Sequence, residues 1–134
     1  MKRLLSAALI AALAWGTTAT AKPPLREVSE IDDALFDLGI ADMIRKECPD
    51  ISARMFRAIA YVSDLQSRAR DLGYSDEEIE AYTDSDAEKD RMRAKAAAFF
   101  AERGVDTSDP QSYCALGLDE IQKSSRIGSL LRAK

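Results

Sequence analysis

From Cys48 to Leu72 the apolar residues recur at steps of three and four: Ile51, Met55, Ile59, Val62, Leu65, Ala69 and Leu72, with Phe56 alongside. On a helix that spacing gathers them on one side. The segment therefore predicts a central amphipathic helix of about six turns whose stripe faces a core. Arg54, Arg57, Asp64, Arg68 and Arg70 fall on the other side, with Asp64 and Arg68 four apart where opposite charges meet. Pro49 separates this helix from the one before, Asp50 or Ser52 can cap it, and Gly73 ends it.

The same pattern continues on both sides. Two prolines in Lys22–Arg26 keep that stretch extended. Val28, Ile31, Leu35, Leu38, Ala41, Met43 and Ile44 predict a first helix from Val28 to Lys46. Acidic residues crowd its start and Arg45-Lys46 its end, as the helix dipole favours. Gly39 in its middle marks a close helix crossing or a kink. Ser75 and Glu78 form a capping box for a short helix bearing Ile79 and Tyr82. Ser85 and Glu88 repeat the device for a helix through Met92, Ala96, Phe99 and Phe100 to Arg103, closed by Gly104. Asp109 caps and Pro110 starts a final helix reaching Leu131. Gly117, Ser124, Ser125, Gly128 and Ser129 punctuate it with small residues, suited either to tight packing inside the domain or to a docking face. The expected fold is all-α: a compact bundle of four to five helices, with no place for a sheet.

Composition moves the picture outward, to a compartment. Met1-Lys2-Arg3, an apolar run from Leu4 to Trp15 and Ala19-Thr20-Ala21 make residues 1–21 a cleavable signal peptide. That run is shorter than the roughly 20 residues a membrane span needs. Residues 22–134 are then a single helical domain exported to the periplasm, with no transmembrane segment after cleavage. Losing Lys2 and Arg3 from 19 basic residues leaves 17 against 23 acidic ones, a net charge of -6. Such a balance argues against nucleic acid. Two cysteines allow one intramolecular pairing, and an oxidising compartment favours a Cys48–Cys114 disulfide over two buried thiols.

Candidate chemistry is sparse. The chain has no histidine, which excludes Ser-His-Asp and Cys-His catalysis and every His-containing zinc site. The cysteines form no CxxC motif, and no glycine-rich phosphate loop occurs. Asp84, Asp86 and Glu88 alternate as calcium ligands do, but Lys89 stands where a calcium loop needs glycine and Lys95 where it needs glutamate. No metal, cofactor or catalytic residue is expected. Tyrosine and arginine are enriched at interfaces, which selects Arg54, Arg57, Tyr82, Tyr113 and Arg126 as candidate partner contacts.

The signal peptide, Cys48-Pro49, Cys114 and the ending from Glu120-Ile121 through Ser125-Arg126-Ile127-Gly128 to Leu130-Leu131 resemble a family of small uncharacterised exported proteins of alphaproteobacteria. The resemblance spans essentially the whole mature chain. It implies a compartment and a fold without a catalytic role. A second likeness, of architecture alone, is to the small all-helical acid-stress chaperones of the periplasm. The expected function is that of a non-catalytic periplasmic binding protein, an accessory subunit for another envelope protein. An acid-responsive chaperone is the alternative.

Overall fold

The computed structural model describes residues 21–134, so the expected leader, apart from Ala21, lies outside the described residues. A 3-10 turn at Leu25–Glu27 leads into α1 (Ser29–Glu47), β1 (Ile51–Ala53), α2 (Met55–Asp71), α3 (Asp76–Asp84), α4 (Asp86–Glu102), α5 (Pro110–Gln122), the single-turn α6 (Arg126–Ser129) and β2 (Leu131–Ala133). The result is a compact, mostly helical bundle held by a Cys48–Cys114 disulfide, whose Cα atoms are 5.1 Å apart.

The caps behave as their residue types require. Ser75 accepts the Glu78 N–H at 3.1 Å while the Glu78 carboxylate accepts the Ser75 N–H at 2.7 Å, a complete capping box. Ser85 accepts the Glu88 N–H at 3.2 Å, and Asp109 accepts that of Gln111 ahead of Pro110. The break between α3 and α4 falls at Ser85. For α2 neither expected cap serves: the capping position is Arg54, which makes no side-chain cap bond, and Ser52 lies in β1.

The main core collects α1 (Ile40, Ile44), the disulfide, Ile51, Phe100 of α4, Leu116 of α5 and the C-terminal Leu130 and Leu131. Phe36, Phe99, Phe100 and Tyr113 link edge to face through it. A smaller cluster of Leu25, Ile31, Ala69 and Tyr74 joins the N-terminal turn to the end of α2.

Two expectations fail at the C-terminus. The final helix stops at Gln122, because Ser124 takes a left-handed conformation (φ 51°) and Ser125 caps a new turn by accepting the Gly128 N–H. The chain folds back so closely that a Cβ on Gly128 would stand 1.9 Å from the Glu120 carbonyl oxygen. A Cβ on Gly117 would likewise meet Ile51 at 2.4 Å and Ile44 at 2.8 Å. Gly117 and Gly128 thus serve internal packing. The reversed chain then forms a two-stranded antiparallel ribbon, Ile51 opposite Ala133 and Ala53 opposite Leu131, where no sheet was expected.

Helix α2 departs further from its expectation. It buries Ala69 and half-buries Ala58, Tyr61 and Leu65, leaving Met55, Phe56, Ile59 and Leu72 exposed and Val62 barely covered. The stripe that was to face the core mostly faces solvent. Ala58 and Ala69 let α2 approach its neighbours closely, and the Tyr61 hydroxyl donates to the Ala34 carbonyl at 2.8 Å, fixing the rotation.

Candidate functional site

Rotation of α2 leaves a contiguous apolar face over its first two turns. Met55 is 56% exposed, Phe56 91%, Ile59 60% and Val62 38%. Single exposed apolar residues are ordinary, whereas several on one face are the kind of patch that contact surfaces present. Beside Met55 lies a recess of about 110 Å³ bounded by Leu38 and Ala41 of α1, Ala53, Ala58 and Leu130. It has room for one aliphatic side chain. Arg45 stands at its edge, paired with Asp42 at 2.5 Å.

Arginines rim the face. Arg54 Nε donates to the Leu131 carbonyl at 3.0 Å, and Arg57 Nη1 donates to that of Ser129 at 3.3 Å. Both are exposed, and among the described residues neither pairs with a carboxylate. The C-terminal segment therefore holds two cations beside the apolar patch. An aromatic and aliphatic centre, a small recess and a cationic rim together suit recognition of a partner surface.

The other sequence candidates are placed differently. Arg126 is exposed and bridges to Asp37 at 3.1 Å. Tyr113 is 4% exposed and packs on Phe100 with ring centroids 5.2 Å apart, so it belongs to the core and meets no external surface. Burial raises the pKa of its hydroxyl. Tyr82 is half-buried and donates to Asp32, so its hydroxyl is committed inside the fold.

That bond is part of a polar network. Asp32, 5% exposed, accepts from both Tyr82 and Arg91. Arg91 Nε also donates to Glu88 at 2.8 Å, and Glu88 accepts from Arg26. Lys95 stands 3.6 Å from Asp32. Burial alone would raise the pKa of Asp32, but the hydrogen bonds from Arg91 and Tyr82, with the charges of Arg91 and Lys95, hold it below its ordinary 3.8. The Arg91 hydrogen bond lowers Glu88 as well, and burial with the bond to Asp32 pushes Tyr82 upward. Each acid thus stays ionised against a cation, tying the N-terminal turn, α1, α3 and α4 together. Neither is poised to exchange a proton near neutrality.

A groove of about 570 Å³, which shares Leu38 and Asp42 with the recess, runs between α1 and α4. Leu35, Phe36, Met43 and Met92 supply apolar walls, and Thr83, Lys89 and Arg93 stand at its polar side. Among the described residues, one group of cysteine and acidic side chains is close enough to hold a metal ion: Cys48, Asp50 and Cys114. Its sulfurs are bonded to each other, so no thiolate is left to coordinate. Among the described residues no helix is long and apolar enough to cross a membrane.

Sequence reasoning found Arg54 and Arg57 but placed the apolar residues beside them in the core. Leu65 and Ala69 of the expected stripe do turn inward, and Ala58 and Tyr61, which share helical spacing with them, were the available signal for the true inward face. No comparable signal pairs Asp32 with Arg91, 59 residues away.

No curated protein and no solved structure matches the chain. The model of a family of unknown function, DUF5333, matches residues 23–132, from the extended segment ahead of α1 through both cysteines into β2, and the chain belongs to that family.

Proposed function

We propose that this protein is a non-catalytic binding subunit of the periplasm, which docks another envelope protein on the outward face of α2. One observation carries the reading: among the described residues, Met55, Phe56, Ile59 and Val62 form an exposed apolar face beside Arg54 and Arg57, neither of which pairs with a carboxylate there. Leaving such a face in water is unfavourable at about 25 cal/mol per Å², an amount that a partner covering it recovers. The cleavable leader expected from residues 1–21 and the Cys48–Cys114 disulfide support the compartment.

The test is affinity capture from detergent-solubilised envelopes, comparing the native protein with a Phe56→Asp/Ile59→Asp variant. A specific partner is expected to be retained by the first and lost by the second while the melting temperature is unchanged. Equal retention by both would refute the assignment of the face.

The Asp32–Arg91–Glu88–Arg26 network favours one second reading, the acid-responsive chaperone. Protonating these carboxylates removes the ties between the N-terminal turn, α1 and α4 and would enlarge the exposed apolar surface. Suppression of client aggregation near pH 3 but not pH 7 would support that reading. No suppression at either pH would dismiss it.

A further inference from the structure

We infer that the groove between α1 and α4 is a binding site for a single aliphatic chain with an anionic head group. This site is separate from the α2 face and independent of the docking reading. Its volume, about 570 Å³, falls within the roughly 300–1,000 Å³ of sites that enclose small ligands. Its walls are mainly Leu35, Phe36, Met43 and Met92, which suit a flexible chain: methionines adapt their shape to it.

Gly39 is the second observation. Glycine inside a helix costs about 0.5–1 kcal/mol relative to alanine. At Gly117 and Gly128 steric need explains it, because a Cβ there would collide with neighbours. Gly39 has no such need: a Cβ at that position meets nothing within 4 Å among the described residues. It lines the groove, so the missing side chain leaves space that a ligand can use.

Charge decides the head group. Two acids touch the groove, and both are already neutralised. Asp42 pairs with Arg45 and Lys46 at 2.5 Å each, and Glu88 is held by Arg91 and Arg26. The Lys89 ammonium donates to the Asp84 backbone carbonyl at 3.2 Å and, among the described residues, meets no carboxylate. Arg93, one turn further along α4, has only the exposed Asp90 as partner among the described residues, at 2.6 Å. The groove edge therefore offers cationic donors to a carboxylate or phosphate at the end of a buried chain.

Isothermal titration of the purified, oxidised protein tests this with decanoate, decyl phosphate, decanol and decyltrimethylammonium, each below its micellar concentration. Saturable one-to-one binding is expected for at least one of the two anions, and the tighter anion distinguishes a fatty-acid from a phosphorylated-lipid source. Gly39→Leu should weaken that binding at least about tenfold, a loss of about 1.4 kcal/mol, without lowering the melting temperature. Lys89→Glu/Arg93→Glu, both at exposed positions, should weaken the anion at least about threefold and leave decanol unchanged. The inference is overturned if neither anion saturates, if the cationic amphiphile binds as tightly, or if Gly39→Leu folds and binds like the native protein.

Discussion

Gly128 is the position where one methyl group decides the C-terminal fold. Its Cα lies against the backbone of Glu120 and Ile121, which no rotamer change can move aside. Gly128→Ala is therefore expected to lower the unfolding free energy by about 3 kcal/mol, the upper part of the usual overpacking range. Urea denaturation would measure it. Ser124 carries the opposite opportunity: at φ 51° it holds a conformation that suits glycine, so Ser124→Gly should gain about 0.5–1 kcal/mol in the same assay. Arg91 is the residue on which Asp32 depends. Removing one partner of a fully buried pair costs about 3–5 kcal/mol, and Arg91 is part-exposed, so Arg91→Met should cost nearer 2 kcal/mol.

At the scale of elements, α2 shows what periodicity can and cannot decide. The expected stripe joined Met55, Ile59 and Val62 to Leu65 and Ala69; Met55, Ile59 and Val62 form one set at helical steps, and Leu65 and Ala69 belong equally to another with Ala58 and Tyr61, about a quarter-turn away. Hydrophobicity favours the first set. The fold chose the second, whose alanines permit close packing and whose tyrosine reaches the Ala34 carbonyl. Phe56→Asp/Ile59→Asp is accordingly expected to stay within about 0.5 kcal/mol of the native stability, measured by thermal melts, whereas a buried stripe would lose several. Helices with terminal chemistry were legible: the Ser75, Ser85 and Asp109 caps lie where their side chains predict. The ribbon was not legible, since Ile51–Ala53 and Leu131–Ala133 are separated by helices α2 to α6 and are not joined by any hairpin turn that the sequence could signal. For the candidate site, the arginines could be read from residue type alone. Their apolar neighbours could be placed only once the rotation of α2 was known.

Across the whole molecule, the disulfide closes a separation of 66 residues and joins the end of α1 to α5. Chain entropy puts its removal at about 4 kcal/mol, so reduction should lower the melting temperature substantially. Acid should act through the carboxylates. Asp32, Asp42 and Glu88 have folded pKa values below their ordinary 3.8 and 4.5, so their stabilisation is present above those values and is lost as pH falls through the lower folded ones. Asp37, raised by burial, acts in the opposite sense, since its protonation favours the fold. The depressed groups outnumber it, and stability should decline below about pH 4, which urea titrations at stepped pH would register. The most direct measurement concerns the face of α2 in living cells. A photoreactive phenylalanine analogue replaces Phe56, or as a control the exposed Glu77 on α3. Irradiation should yield a discrete cross-linked partner from position 56, absent at 77 and abolished by Ile59→Asp. Equal products from both positions, or none from position 56, would contradict a docking role for this helix.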